Sequence, residues 1–173
     1  MVYFVDSVSK LLFSIAIKIL SWLHIDVSEQ HSESLMQFIR FGLVGLSNTV
    51  IGYLLYIIFL FLFRAVGLPE SVDYIISNVL SWILSVFWSF IWNKRCVFRM
   101  EETDSSAFFK ALFKAYCSYA LTGLVLNNIL LYVFVSQLGI SKALGPCLVL
   151  LISIPVNFLL NKFWTFRKKQ GQL

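Results

Sequence analysis

Charge is the scarcest property of this chain: Asp, Glu, Lys and Arg make up 13% of 173 residues, against 59% apolar residues. With a mean hydropathy of +0.82, that balance excludes an ordinary water-soluble domain. Histidine is rarer still. His24 and His31 are the only two, and both flank or occupy a polar stretch without a cysteine nearby, so they read as solvated linker residues and not metal ligands. The three cysteines, Cys96, Cys117 and Cys147, show no metal-ligand spacing and cannot all pair with one another; each reads as a small apolar packing residue. No basic side chain stands in the first nine residues ahead of the apolar stretch, so no cleavable signal peptide is expected.

The absence with the widest consequence lies inside the apolar runs. Four of them, at about 41–63, 75–92, 112–135 and 143–160, are long enough to cross a bilayer, which takes about 20 residues. None contains Asp, Glu or His. General acid–base catalysis needs a titratable group beside the reacting bond. A proton-coupled pump normally carries an intramembrane carboxylate, and a paired-carboxylate metal site is missing too. The sequence therefore leads us to expect neither an enzyme nor a drug–proton exchanger, and no metal or cofactor.

What the chain does contain is a repeat. Asn161-Lys162-Phe163-Trp164-Thr165-Phe166-Arg167 closes the last apolar run, and Asn93-Lys94-Arg95-Cys96-Val97-Phe98-Arg99 closes the second. Asn, Lys, Phe and Arg recur in register, with Cys96 standing where the later copy has Trp164. The approach matches as well: Ser85, Ser89 and Phe90 correspond to Ser153, Asn157 and Phe158. Such a repeat implies two related units. The expected fold is all-α integral membrane, with four transmembrane helices arranged as two parallel hairpin repeats behind an amphipathic interfacial helix. The units expected are residues 1–34 (interfacial helix and polar linker), 35–99 (first hairpin), 100–107 (loop) and 108–169 (second hairpin).

Of the basic residues, Arg64 and Lys142 alone fall at the hairpin tips; the others cluster before the first run, between the second and third, and after the fourth. Positive residues stay cytoplasmic. Both termini and the middle loop are then inside, and the basic balance reports topology and contact with membrane lipids, not nucleic-acid binding. Residues 2–23 set Phe4, Val8, Leu11, Leu12, Ile15, Ile19, Trp22 and Leu23 against Ser7, Lys10, Ser14, Lys18 and Ser21 at helical spacing. That pattern fits a helix lying in the interface. Asp6, Lys10 and Lys18 argue against a fifth span.

Each span carries polar residues at helical intervals. Gly42, Gly45, Thr49 and Gly52 give the first a small-residue face of the kind that lets helices approach closely, and Asn48 adds a carboxamide that must find a partner or line a polar cavity. The second shows Asn78, Ser81, Ser85, Ser89 and Asn93 on one stripe. Tyr116, Tyr119, Gly123 and Asn127 form the third stripe. Ser153, Asn157 and Asn161 form the fourth, which Pro155 interrupts. Carboxamides and hydroxyls donate and accept without charge, which suits sugar hydroxyls. Basic side chains at the inner ends suit a lipid phosphate, at about 1 kcal/mol each. A path for a phosphoglycolipid headgroup fits, and so does a structural bundle glued by the same side chains.

The pair Arg40-Phe41-Gly42-Leu43-Val44-Gly45-Leu46-Ser47-Asn48-Thr49 and Asn161-Lys162-Phe163-Trp164-Thr165-Phe166 resembles the GtrA-like family, which includes teichoic-acid glycosylation proteins of the GtcA type; the resemblance spans about residues 35–169. It implies flipping of a polyprenyl-phosphate-linked sugar across a bacterial plasma membrane for envelope glycosylation, with undecaprenyl phosphate as carrier and membrane glycosyltransferases as partners. It carries over Asn48, Asn93, Lys94, Asn161, Lys162 and Trp164. Together with the stripes, this assigns Arg40, Lys94, Arg95 and Lys162 to the phosphate. Asn48, Asn78, Ser85, Asn93, Asn157, Asn161 and Trp164 are assigned to the headgroup path. Four short spans enclose little volume, so a homo-oligomer is expected. The alternative is a non-catalytic scaffold for a polyprenyl-phosphate glycosyltransferase.

Overall fold

Apolar runs with no water to satisfy their backbone must close their hydrogen bonds within themselves, and helices do so. The computed structural model of the protein describes residues 1–25, 27–100, 104–141 and 144–167, and every regular element in them is helical. Lys142, Lys168, Lys169 and residues 101–103 of the expected 100–107 loop lie outside the described residues, and helix begins again at Ser105, inside that expected loop. Four helical stretches are long and apolar enough to span a membrane: His31–Ala65, Glu70–Val97, Ser105–Gln137 and Cys147–Thr165. The N-terminal helix is not one of them. The chain divides into two compact units, Met1–Arg99 and Met100–Leu173.

In the first unit, α1 (Val2–Trp22) packs on α2 (Glu29–Ala65), which pairs with α3 (Glu70–Trp92). At about 1.5 Å per residue the 37 residues of α2 exceed the ~30 Å hydrocarbon thickness. The sequence leads us to expect a polar linker through Ser34. Instead α2 starts at Glu29, with Ser28 as its N-cap residue and the Ser28 hydroxyl 2.9 Å from Nδ1 of His31. The tip between α2 and α3 is a few residues long and turns on Gly67, whose φ of +81° is left-handed.

Asp73, two residues ahead of the second apolar run, lies in the first turn of α3, completely buried, and accepts from Nε of Arg64 at 2.8 Å. The pair clamps the hairpin tip. The second helix thus carries a carboxylate at its mouth, which the apolar run alone does not show. Val5, Phe41, Val44, Val86, Phe90, Cys96 and Val97 form the apolar core. Leu46, Val50, Leu54, Ile58 and Phe61 are exposed on α2, a surface stable against lipid tails and not against water.

The second unit is built the same way. α4 (Ser105–Ala120), a wide turn Leu121–Leu126, α5 (Asn127–Tyr132) and a second wide turn Val133–Gln137 make one continuous helical run. Gly139, at φ +68°, turns the chain, and α6 (Gly145–Leu160) returns along it. Pro155 sits inside α6, so the Leu151 carbonyl has no amide to accept from. A π-helical turn bonds i to i+5 and widens the helix locally. The buried face of this run passes through Ala115, Ser118 and Thr122, so it is already off the expected stripe of Tyr116 and Tyr119 within α4; Asn127 is half-buried and Gly123 is exposed.

Candidate functional site

Both copies of the repeated motif form the same object. Asn93–Val97 and Asn161–Thr165 are each one π-helical turn, closed by Phe98 N–H to Asn93 O at 3.0 Å and by Phe166 N–H to Asn161 O at 2.8 Å. Asn starts each turn and Phe closes it. Each Asn is buried to 1% exposure. Nδ2 of Asn93 donates to Ser89 Oγ at 3.1 Å; Nδ2 of Asn161 donates to the Asn157 carbonyl at 2.8 Å and to its Oδ1 at 3.0 Å. Oδ1 of Asn161 is sealed from solvent and has no partner among the described residues. An orphaned acceptor costs about 1–3 kcal/mol and calls for an explanation. Spacing alone identified these asparagines but gave no hint of the π turn.

Lys162, next in the turn, places its ammonium 5.7 Å from the Phe158 ring centroid and 5.8 Å from that of Phe163, within cation–π range. Trp164 is exposed, its carbonyl 3.5 Å from Nζ of Lys114. Ser118 and Thr165, buried hydroxyls 3.2 Å apart, tie the turn to α4. In the first unit Lys94 is half-buried and Arg95 exposed. Arg40, assigned from sequence to a phosphate, instead points its guanidinium at Asp6 of α1, 3.2 Å away, with Nε 3.4 Å from the Ser9 hydroxyl. Asp6 is one residue that sequence reading missed as a site member; its only signal there was a carboxylate on a helix otherwise charged by lysine.

Asn48 belongs to a different place. Between α2 and α3 lies a groove of about 520 Å³ lined by Asn48, Thr49, Gly52, Tyr53, Tyr56, Tyr74, Asn78, Ser81, Trp82 and Ser85 with Ile75 and Val79. That size falls within the roughly 300–1,000 Å³ of small-molecule sites. No lining residue carries a charge. The serines expected on the polar stripe are buried at 81, 85 and 89, continuing Ser77 and Asp73 in strict steps of four. Asn78 is exposed instead. It sits one residue, about 100°, round the helix from Ser77, which puts it on the rim of the groove and off the buried stripe.

Ser81 and Ser85 donate to the carbonyls of Asn78 and Trp82 at 2.9 and 3.0 Å. Each hydroxyl spends its proton on its own helix and keeps lone pairs to accept with. Asn48 Oδ1 is sealed from solvent without a hydrogen-bond partner among the described residues. Across the groove, a Cβ on Gly52 would stand 3.3 Å from Ser85 Cβ. The second unit treats the matching serine differently: Ser153, the repeat partner of Ser85, donates to Asn127 Oδ1 and to the Val149 carbonyl. A carboxamide faces the serine there; a glycine faces it here. Trp88, which by position alone reads as an aromatic-belt residue at the inner end, donates its indole N–H to Ser47 Oγ at 3.3 Å and fastens α3 to α2.

The comparisons with known proteins agree with this architecture. Residues 40–170 match the model of the GtrA/DPMS transmembrane domain. The chain is 28% identical over 102 residues to the uncharacterized membrane protein YwcD of Bacillus subtilis, covering 59% of this chain and 80% of that protein. It is also 28% identical over 130 residues to a dolichol-phosphate mannosyltransferase of Pyrococcus furiosus, covering 75% of this chain but 34% of the transferase. The matched region takes in both Asn-Lys turns and the groove, and the chain belongs to the GtrA/DPMS transmembrane-domain family.

Proposed function

We propose that the protein moves a polyprenyl-phosphate-linked sugar from the cytoplasmic to the outer leaflet of a bacterial plasma membrane, making and breaking no covalent bond. The observation that carries this reading is the uncharged groove lined by Asn48, Gly52 and Ser85. Carboxamide, hydroxyl and aromatic faces suit a sugar, and a groove at the level of lipid tails lets a prenyl chain remain in the bilayer. Membership of a family whose relatives include a dolichol-phosphate mannosyltransferase supports a carrier of this chemistry. Lys94, Arg95 and Lys162, beside the two Asn-Lys turns, would attract the phosphate at the inner surface. The protein would act as a homo-oligomer, since each hairpin alone offers little enclosed volume.

A strain lacking the protein, complemented with Lys162→Ala or Asn161→Ala at unchanged protein level, is expected to lose outer-leaflet glycolipid. Normal levels in both variants would sink the assignment. A second reading has its own support. The transferase match covers only 34% of that relative, so the family domain also serves alongside other sequence, and a scaffold for a membrane glycosyltransferase would fit. In that case a transferase would co-purify with the Asn161→Ala protein and glycolipid would be lost by a failure of synthesis, not of leaflet exchange.

A further inference from the structure

Asp6 answers to two arginines. Its Oδ1 lies 3.2 Å from Nη2 of Arg40 and 3.0 Å from Nη2 of Arg99, and its Oδ2 is 3.2 Å from the same Arg99 nitrogen. One carboxylate therefore serves two guanidiniums, and a positive charge is left over. Arg40 is held in place, with its side chain 11% exposed and its Nε beside Ser9, whereas the Arg99 side chain is 57% exposed. Arg99 also has a φ of +45°, a left-handed conformation that a non-glycine residue adopts at a cost and that clusters at ligand sites and switch regions. Guanidiniums recognise phosphate oxygens in forked, charge-assisted pairs better matched than a single carboxylate. Finally, α1 packs on both α2 and the Asn93–Val97 turn, so the carboxylate rides on a helix that covers one of the two repeated motifs.

We infer that Arg40 and Arg99 form a phosphate-anion site whose present occupant, the Asp6 carboxylate, is an internal substitute that the ligand displaces, lifting α1 from the Asn93–Val97 turn. The inference builds on the reading of the chain as a carrier of phosphate lipids. Binding can be measured without transport, so either can fail alone.

The test uses the full chain in nanodiscs of uncharged phosphatidylcholine, titrated with farnesyl phosphate, inorganic phosphate and, as a charge-free control, farnesol. Asp6→Asn removes the competitor and keeps the shape. It is expected to bind farnesyl phosphate about tenfold more tightly than the wild type, the loss of two partly exposed ion pairs converted at tenfold per 1.4 kcal/mol. Asp6→Glu should bind like the wild type, Asp6→Asn with Arg99→Gln should lose the gain, and farnesol should not distinguish the proteins. A gain with inorganic phosphate as well marks a site for free phosphate; a gain with farnesyl phosphate alone marks a lipid headgroup. Equal or weaker binding by Asp6→Asn overturns the inference. If that variant is less stable, its unfolding temperature must rise more on adding the bound phosphate than the wild type's does. An equal or smaller rise also overturns it.

Discussion

Gly52 gives the sharpest handle on the groove. A methyl at this position would sit at ordinary contact, 3.5 Å, from the Ser85 hydroxyl oxygen but 3.3 Å from Ser85 Cβ, closer than ordinary contact, so α2 and α3 must yield by a few tenths of an ångström. Against that crowding, alanine gains about 0.8–1.0 kcal/mol over glycine inside a helix. The two effects nearly cancel, and Gly52→Ala should unfold within about 1 kcal/mol of the wild type. Gly52→Leu is a different experiment. Its branched end cannot enter the contact with Ser85 without the roughly 1–3 kcal/mol of overpacking. It is expected to turn into the open groove of about 520 Å³, taking the space that a headgroup needs and covering Asn48. The fold should survive both changes, while exchange of a polyprenyl-phosphate hexose in proteoliposomes should fall modestly with alanine and be abolished by leucine. Thermal unfolding in the same lipid separates the two effects. A folded Gly52→Leu protein that exchanges the lipid at the wild-type rate would refute the assignment of the groove.

Other consequences concern the clamps and the orphaned asparagine. A double-mutant cycle on Asn127→Leu and Ser153→Ala, read by unfolding in detergent, should give a coupling of about 0.6 kcal/mol and no more than about 1.7, the range for interhelical hydrogen bonds in membranes. Arg64→Ala strands the Asp73 carboxylate, 1% exposed. It should lower the unfolding midpoint, because the acceptor left behind is buried; adding Asp73→Asn should recover most of the loss. Asn161→Leu removes an unsatisfied acceptor, so its unfolding midpoint should stay near that of the wild type while lipid exchange is lost.

The four spans were legible because the apolar runs are long and, apart from Lys114 near the start of the third, unbroken by charge, and the repeated Asn-Lys signature announced two related hairpins. The helix ends were less visible. Glu29 to Ser34 reads as linker by polarity, yet it continues α2, since nothing in it breaks a helix. Asp73 reads as loop, although its charge is compensated by Arg64. The π turns escaped altogether. Their i to i+5 bonding is a spacing that no periodicity of 3.6 reveals, and in the third span the buried face runs through Ala115, Ser118 and Thr122, off the stripe that spacing gave to Tyr116, Tyr119 and Gly123. Of the residues that spacing singled out, Asn48 and Ser85 line the groove and Asn161 opens a π turn, while Asn78 lies one face off the buried stripe. Spacing also gave Arg40 to a phosphate without seeing that Asp6, far away in sequence, already answers to it.

The most direct test of the account places purified protein in liposomes whose polyprenyl-phosphate hexose is labelled in one leaflet, and follows its accessibility from the other side. The account predicts rapid exchange by the wild type and loss of exchange in Asn161→Ala and Gly52→Leu, with both variants folded. Absence of exchange by the folded wild type, with the glycolipid or a transferase still bound, would contradict translocation and leave the scaffold reading in its place.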